Sequence, residues 1–520
     1  MLLREIIEQG AERYPQNVAL IFRDQPVTYG ELAVAVRRLA AGLASLGLQP
    51  GDRMALLLPN CTPFVWSYYA AQQMGVVVVP ANPLLKPAEL EYIWRDAGVR
   101  LVVTAGPLLE GVQVARRALP SLEHVVSITP REELPDPALA EVPGWIALSE
   151  LMARGAGASV PAPEIDENAC AVIIYTSGTT GHPKGAMLSH RNLTRNVAQV
   201  QAALGFTPQD RFLTVLPLFH SFAGTVCQNL ALSVGAGSVL LESFTPGRAL
   251  EAIEKHRVTI FPGVPAMFNA ILHFPQEREY DTSSLRMFVS GGAPLPAATL
   301  EALEARFGVP VLEGDGPTEC SPVTSVNPLQ GPRKVGSVGP PLPGVQIAIF
   351  NDRDEPLPTG EIGEIVVRGD NVMLGYLNQP EATAEAMRSG WYHTGDLGYM
   401  DADGYVYIVD RKKDMIITGG LNVYPREIEE VLYTHPAVQD AAVIGVPDPL
   451  RGEDVVAAVV RKPGVEVTER ELIAYCRERL ANFKVPRRVL FREALPRGGT
   501  GKVVKRLLKK ELEMETTSGA

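Results

Sequence analysis

Between Tyr175 and Gly185 the chain reads YTSGTTGHPKG. Thr176, Ser177, Thr179 and Thr180 supply hydroxyl donors. Gly178, Gly181 and Gly185 let backbone N–H groups approach an anion, and Lys184 adds a fixed positive charge. This is a set of groups for holding phosphate, and it suits the β- and γ-phosphates of ATP. A Walker loop is excluded, because its lysine is followed by Ser or Thr, whereas Lys184 is followed by Gly185 and preceded by Pro183. A polar surface turn is the plain alternative.

Four further clusters could do chemistry. In EGDGPTEC, Glu313–Cys320, a Thr and a Glu stand beyond a Gly turn, where they could meet a phosphate and its Mg²⁺. A capped turn explains that cluster about as well. In YHTGDLG, Tyr392–Gly398, Asp396 in a Gly turn could accept both ribose hydroxyls. The remaining two are DRKKDMIITGGLNVYPREIEE, 410–430, and LPRGGTGKVVKR, 495–506. The GTGK of the last is no Walker fragment, since Val503 stands where Ser or Thr belongs and Pro496 where the first Gly belongs.

The elements that must position these residues are legible from periodicity. Residues 28–47 predict a helix, with Thr28 and Glu31 as a capping box, Gly47 as the stop, and Leu32, Val36, Leu39, Leu43 and Leu46 on one face. Strand-like runs at 54–59, 76–80 and 101–104 alternate with helical stretches such as 62–74, which points to a largely parallel α/β sheet. Residues 171–176 and 186–190 read as two strands with the phosphate motif as the flap between them. Ser189 or His190 then starts a helix carrying Leu193, Val197, Val200 and Leu204. From about 335 short β runs broken by Gly and Pro predict a mostly β subdomain. A last unit has a helix after Tyr424 with Pro425 in its first turn, a strand at 440–446, and a helix opened by Thr468 and Glu471.

The fold class expected is therefore α/β: a large N-terminal domain of α/β sheets plus a β subdomain, residues 1–410, and a small α+β C-terminal domain, residues 411–520, joined by a hinge. The length, 520 residues, favours two or more domains. A net charge of −11 argues against nonspecific nucleic-acid binding. Five scattered cysteines with no CxxC pair indicate neither a disulfide framework nor a zinc site, and a reduced cytoplasmic setting follows. No apolar run approaches the roughly 18 residues of a membrane span, so a soluble protein is expected, with peripheral membrane contact and a homodimer left open.

Five clusters in this order are far more specific than any one of them. From about residue 10 to 510 the chain resembles the adenylate-forming superfamily of acyl-CoA synthetases, peptide-synthetase adenylation domains and luciferases. The resemblance implies that Thr176–Gly181 and Lys184 hold the pyrophosphate end of ATP. It further implies that Thr318 lies near the α-phosphate and that Glu319, with Thr176, serves Mg²⁺. Asp396 would take the ribose with Arg411 beside it, and Gly291, Gly292 and Ala293 would border adenine and acyl group. Glu313, Gly314 and Asp315 fall on the nucleotide, and Lys502 matches the mobile lysine bridging carboxylate and α-phosphate. Lys413 matches the hinge, and Gly419 and Gly420 the channel for the CoA thiol arm. One position departs: Asp315 stands where the family commonly stacks an aromatic ring on adenine, so it either hydrogen-bonds the base or points outward.

His220, in LPLFHSFAG at 216–224, matches a histidine at the acyl pocket's edge; a core histidine satisfied by the backbone is the alternative. That stretch lacks the aspartate that adenylation domains present to an amino acid. The apolar runs after it and at 261–272 suit a medium- or long-chain fatty acid ahead of an aryl acid. Residues 477–510 hold twelve Lys or Arg and two acids. Most of these read as a solvated face, and some could meet the phosphates of CoA. Expected substrates are thus a fatty acid, ATP with Mg²⁺, and coenzyme A. The rivals are an aryl acid–CoA ligase, an acyl-AMP ligase loading a separate carrier protein, and a nucleotide binder without turnover.

Overall fold

The computed structural model describes residues 1–129, 133, 141, 144–158, 162–176, 183–275, 278–418, 420–448, 450–498 and 502–518, those from 513 onward without side chains. Among these residues, two eight-stranded sheets form the body of the N-terminal part. In the first, Arg53–Leu57 lies between Val77–Pro80 and Val99–Thr104, parallel to both. In the second, Ile260–Gly263, Met287–Ser290 and Val311–Asp315 run parallel side by side.

These strands are apolar along most of their length because each sheet is covered on both faces, with charged residues such as Arg53 and Asp315 at their ends. Met54 and Leu56 point into a core shared with Phe212, Ile260 and Met287 of the second sheet. Ala55 and Leu57, one residue out of phase, face an outer cluster around Trp94. The shared core holds Tyr29–Ala44, Thr62–Met74 and His190–Leu204 between the sheets. The Thr28 capping box forms, but the first of these helices ends at Ala44 rather than Gly47. Ser45 turns its hydroxyl back onto the Gly42 carbonyl at 2.6 Å, and Leu46 is only half buried.

Cys170–Thr176 and Lys184–Ser189 pair antiparallel, with Thr176 opposite Lys184, and Ser189 caps the following helix. The predicted β subdomain is a four-stranded antiparallel sheet of Gln346–Phe350, Gly363–Arg368, Tyr392–Met400 and Val406–Arg411. Asp396 lies within a strand, not in the turn expected. Gly395, at φ +74°, admits only a local irregularity in the pairing.

The chain passes into a fourth sheet between Arg411 and Ile416. That sheet contains Val438–Asp448, Gly452–Arg461 and Arg488–Arg492. Helices Pro425–Tyr433 and Glu469–Arg477 bury Ile428, Leu432, Leu472 and Cys476 against one face of it. Leu508 and Leu512 of the last helix cover the other.

Candidate active site

The end of strand Cys170–Thr176 and the start of Lys184–Ser189 form the mouth of the phosphate motif. Ser177, Gly178, Thr179, Thr180 and Gly181 lie outside the described residues; the two flanks do not. Thr176 Oγ1 donates to Glu319 Oε1 at 3.2 Å, and the Tyr376 hydroxyl donates to the same oxygen at 2.9 Å. Tyr392, first residue of the YHTGDLG cluster, lies buried beside Tyr376. Lys184 Nζ stands 5.0 Å from the centre of the Tyr376 ring. Residues of three separate sequence clusters thus gather around one carboxylate.

A second group forms where the parallel strands of the second sheet end, the place where open α/β sheets take ligands. Gly292 follows Met287–Ser290 at φ +80°, a backbone region that favours glycine. A Cβ there would stand 3.4 Å from Lys502 Cε, so the lysine stem lies across the glycine. Neighbouring Asp315 closes its strand between Gly314 and Gly316. A Cβ on Gly316 would collide with the Pro322 carbonyl, which leaves that position to glycine. Asp315 is half-buried. Burial pushes its carboxyl up, and Lys502 and then Arg411 pull it back.

Asp396 pairs with Arg411 across the sheet, Oδ1 to Nε 3.3 Å. Burial pushes the Asp396 carboxyl up to about 6 against the pull of Arg411, with Asp315 adding to the rise. Lys502 is pushed down by burial and then by Arg411, while Asp315, Asp396 and Glu319 hold it up. No carboxylate among the described residues lies within 4 Å of Lys502. The ammonium therefore stands among charges of both signs, with no direct ion pair among the described residues. Glu313 is deeper. Its Oε1 accepts from Leu295 N at 3.0 Å, its Oε2 is buried without a partner, and burial pushes it up to about 7.

Leu216, Pro217, Phe222 and Val264 wall a narrow cleft that His220, Gly292 and Lys502 complete. His220 is pushed down to about 3, first by burial and then by Lys502. It is neutral at ordinary pH, and its Nδ1 accepts from Phe222 N at 3.3 Å. Ser221 Oγ and Thr318 Oγ1 share a hydrogen bond of 3.0 Å, which ties this wall to the Thr-Glu pair.

Lys413 and Gly420 stand exposed and outside the cleft, and Gly419 lies outside the described residues. Tyr376 and Ser221 escaped the sequence analysis. Ser221 could have been found beside His220. Tyr376, in LGYLN, has no local signal; it arrives only because Gly375–Tyr376 pairs with Lys184–Ser189.

The AMP-binding enzyme family matches residues 7–377, and the AMP-binding enzyme C-terminal domain matches 427–502. The chain belongs to this adenylate-forming family. It is 39% identical to a long-chain-fatty-acid–CoA ligase of Bacillus subtilis, over 99% of this chain and 94% of that one. It is 41% identical to a feruloyl-CoA synthase of an Amycolatopsis species, over 95% and 96%. The crystal structure of ATP-bound MatB from Rhodopseudomonas palustris superimposes with a TM-score of 0.88 at 34% identity, covering 98% of this chain and 99% of that one. The protein is an AMP-forming acyl-CoA ligase, with ATP and CoA as substrates.

Proposed function

We propose that the protein activates a medium- or long-chain fatty acid. The observation that carries this is the lining of the cleft: four apolar side chains and a neutral histidine surround a single cation, Lys502. Such walls reward apolar surface removed from water, while the one ammonium takes the carboxylate. A ligase of long-chain fatty acids among the relatives supports the same choice. An aryl acid is the second reading, supported by the feruloyl-CoA synthase at similar identity.

In the first step a carboxylate oxygen attacks the α-phosphorus of ATP, and pyrophosphate leaves with the bonding pair. Both reactants are anionic, so the barrier falls when cations stand where charge gathers. Lys184 and the 176–181 loop serve the β- and γ-phosphates, Thr318 the α-phosphate, and Lys502 bridges it to the carboxylate. Asp396 and Arg411 hold the ribose, with Glu313, Gly314 and Asp315 toward the base.

The donor set also fits Mg²⁺. Among the described residues no three carboxylates, histidines or cysteines gather into a cage. Glu319 offers one hard oxygen beside the Thr176 hydroxyl, which suits an ion held mainly by phosphate oxygens. Glu319 and Thr176 would hold it, and it would neutralise phosphate charge.

In the second step the CoA sulfur attacks the acyl carbonyl and AMP leaves. For this the unit from 411 to 520 turns on Lys413 relative to residues 1–410 and brings Gly419 and Gly420 to the thiol arm. The setting we propose is the cytoplasm; among the described residues no helix is long and apolar enough to cross a membrane.

Pyrophosphate release with Mg·ATP tests the reading across short, medium and long fatty acids, benzoate and ferulate, with and without CoA. CoA-dependent turnover that peaks with a C8–C18 acid supports it. A peak at ferulate or benzoate establishes the aryl reading, and no release with any acid sinks both.

A further inference from the structure

Lys502 sits in a short hairpin, in which Gly498 N donates to Lys502 O and Val504 N to Pro496 O, each at 2.8 Å. Something must set where that hairpin stands over Gly292. Two ion pairs tie it to the fourth sheet and its helix. Arg497 pairs with Asp440, and Lys505 Nζ meets Glu429 Oε1 at 2.8 Å. Glu429 also accepts from Val443 N at 2.7 Å. The hairpin thus follows helix Pro425–Tyr433.

That helix turns a different pair of residues toward the N-terminal body. Arg426 and Glu430, four apart and so on one face, approach each other at 3.7 Å. Arg426 is 11% exposed, and its guanidinium donates to the Ile408 carbonyl at 2.6 Å. It is also the charge that most offsets the burial of Glu313, whose Oε2 has no hydrogen-bond partner. Burial pushes the Glu430 carboxyl up, and Arg426 and then the N–H of Ala297 pull it back. Ala297 is the first residue of an eleven-residue helix whose own N-cap, Pro296, has no side chain to bond. An acid in that place meets unsatisfied N–H groups and the positive end of the helix dipole. A third contact, Asn269 Nδ2 to the Gln439 carbonyl at 3.2 Å, lies alongside.

We propose that Arg426 and Glu430 are positioning residues for acyl-adenylate formation: they seat helix Pro425–Tyr433 against strand Val406–Arg411 and the N-terminus of helix Ala297–Phe307, and through Glu429 and Lys505 they place Lys502 over Gly292. The assignment rests on the reading that Lys502 serves the first step and not the second. A seat that acts only in that arrangement affects one half-reaction and spares the other.

The experiment uses full-length Arg426→Ala and Glu430→Gln. Acid-dependent ATP–pyrophosphate exchange is expected to fall about tenfold or more, the scale of a lost charge-assisted hydrogen bond. Thioester formation from synthetic acyl-AMP and CoA is expected to stay within about twofold, because that chemistry does not use the seat. Arg426→Lys, which keeps the charge, should recover part of the exchange. Equal loss in both half-reactions, or undiminished exchange, overturns the proposal. Should the wild type exchange with no acid, the ligase reading has failed and the seat is judged by proteolysis alone. Tryptic cleavage at Arg411–Lys413 is expected to be about threefold faster or more in Arg426→Ala at unchanged melting temperature, since cleavage tracks opening. Equal cleavage rates overturn the seat.

Discussion

The hydroxyl of Tyr376 donates to Oε1 of Glu319 at 2.9 Å, with Tyr392 buried behind it. A tyrosine outside every recognisable cluster therefore orients the carboxylate we propose for the phosphates and Mg²⁺. Tyr376→Phe removes one hydrogen bond to a charged group, worth about 1.5–3 kcal/mol. Where part of that is used in the ground state, KM for Mg·ATP is expected to rise roughly three- to tenfold, and Glu319→Gln is expected to do worse. A magnesium titration of both variants distinguishes them, with the weaker metal dependence expected in Glu319→Gln.

Gly292 combines φ +80° with a lysine stem 3.4 Å from where its Cβ would be. Alanine there adopts a left-handed backbone at a cost of about 1–2 kcal/mol and presses on Lys502 Cε. The expected outcome is a loss of acid-dependent pyrophosphate exchange of about tenfold, with a smaller effect on thioester formation from acyl-AMP. Undiminished exchange would remove Gly292 from the account.

Asp396 carries a carboxyl pushed up to about 6 by burial, with Arg411 opposing the rise. Its ionised form accepts a hydroxyl on each oxygen, whereas protonation turns one of those oxygens into a donor. kcat/KM for ATP is therefore expected to climb as pH rises through about 6 and to level above it. In Asp396→Asn that limb should flatten, with the plateau lowered about tenfold or more.

Glu313 makes a prediction about stability. Its carboxyl is raised from 4.5 to about 7 in the folded chain, chiefly by burial, so the folded state binds the proton more tightly than the unfolded one. Stability is then lost as pH rises from 4.5 through about 7. Glu313→Gln keeps an acceptor for Leu295 N and removes the ionisation. It should match the wild type near the acidic end of that window and exceed it well above, by about 1–3 kcal/mol. Denaturant midpoints measured across the window decide this, and a constant difference at every pH would refute it.

Much of this was legible in the chain because it depends on neighbours in sequence. The capping boxes at Thr28 and Thr468, and Pro425 opening its helix, are local chemistry, and each stands where it was read. So is the two-strand flap that sets Thr176 opposite Lys184. Helix 28–47 lost its last turn because Ser45 bonds the Gly42 carbonyl, a competition that apolar spacing does not register. Asp396 was read into a turn from its glycines, yet ladder pairing with Val406–Arg411 holds it in a strand.

The sequence by itself determined the class of fold, the family and the residue types that meet phosphate, since periodicity and short motifs carry that information along the chain. The tertiary structure alone decided that the charges of Lys502 and Arg411 act on Asp315, that Tyr376 reaches Glu319, and that the charge of Arg426 offsets the burial of Glu313. Each of these joins residues dozens to hundreds of positions apart. Their contact energies exist only once strands and units have packed, so no local stretch of sequence contains them.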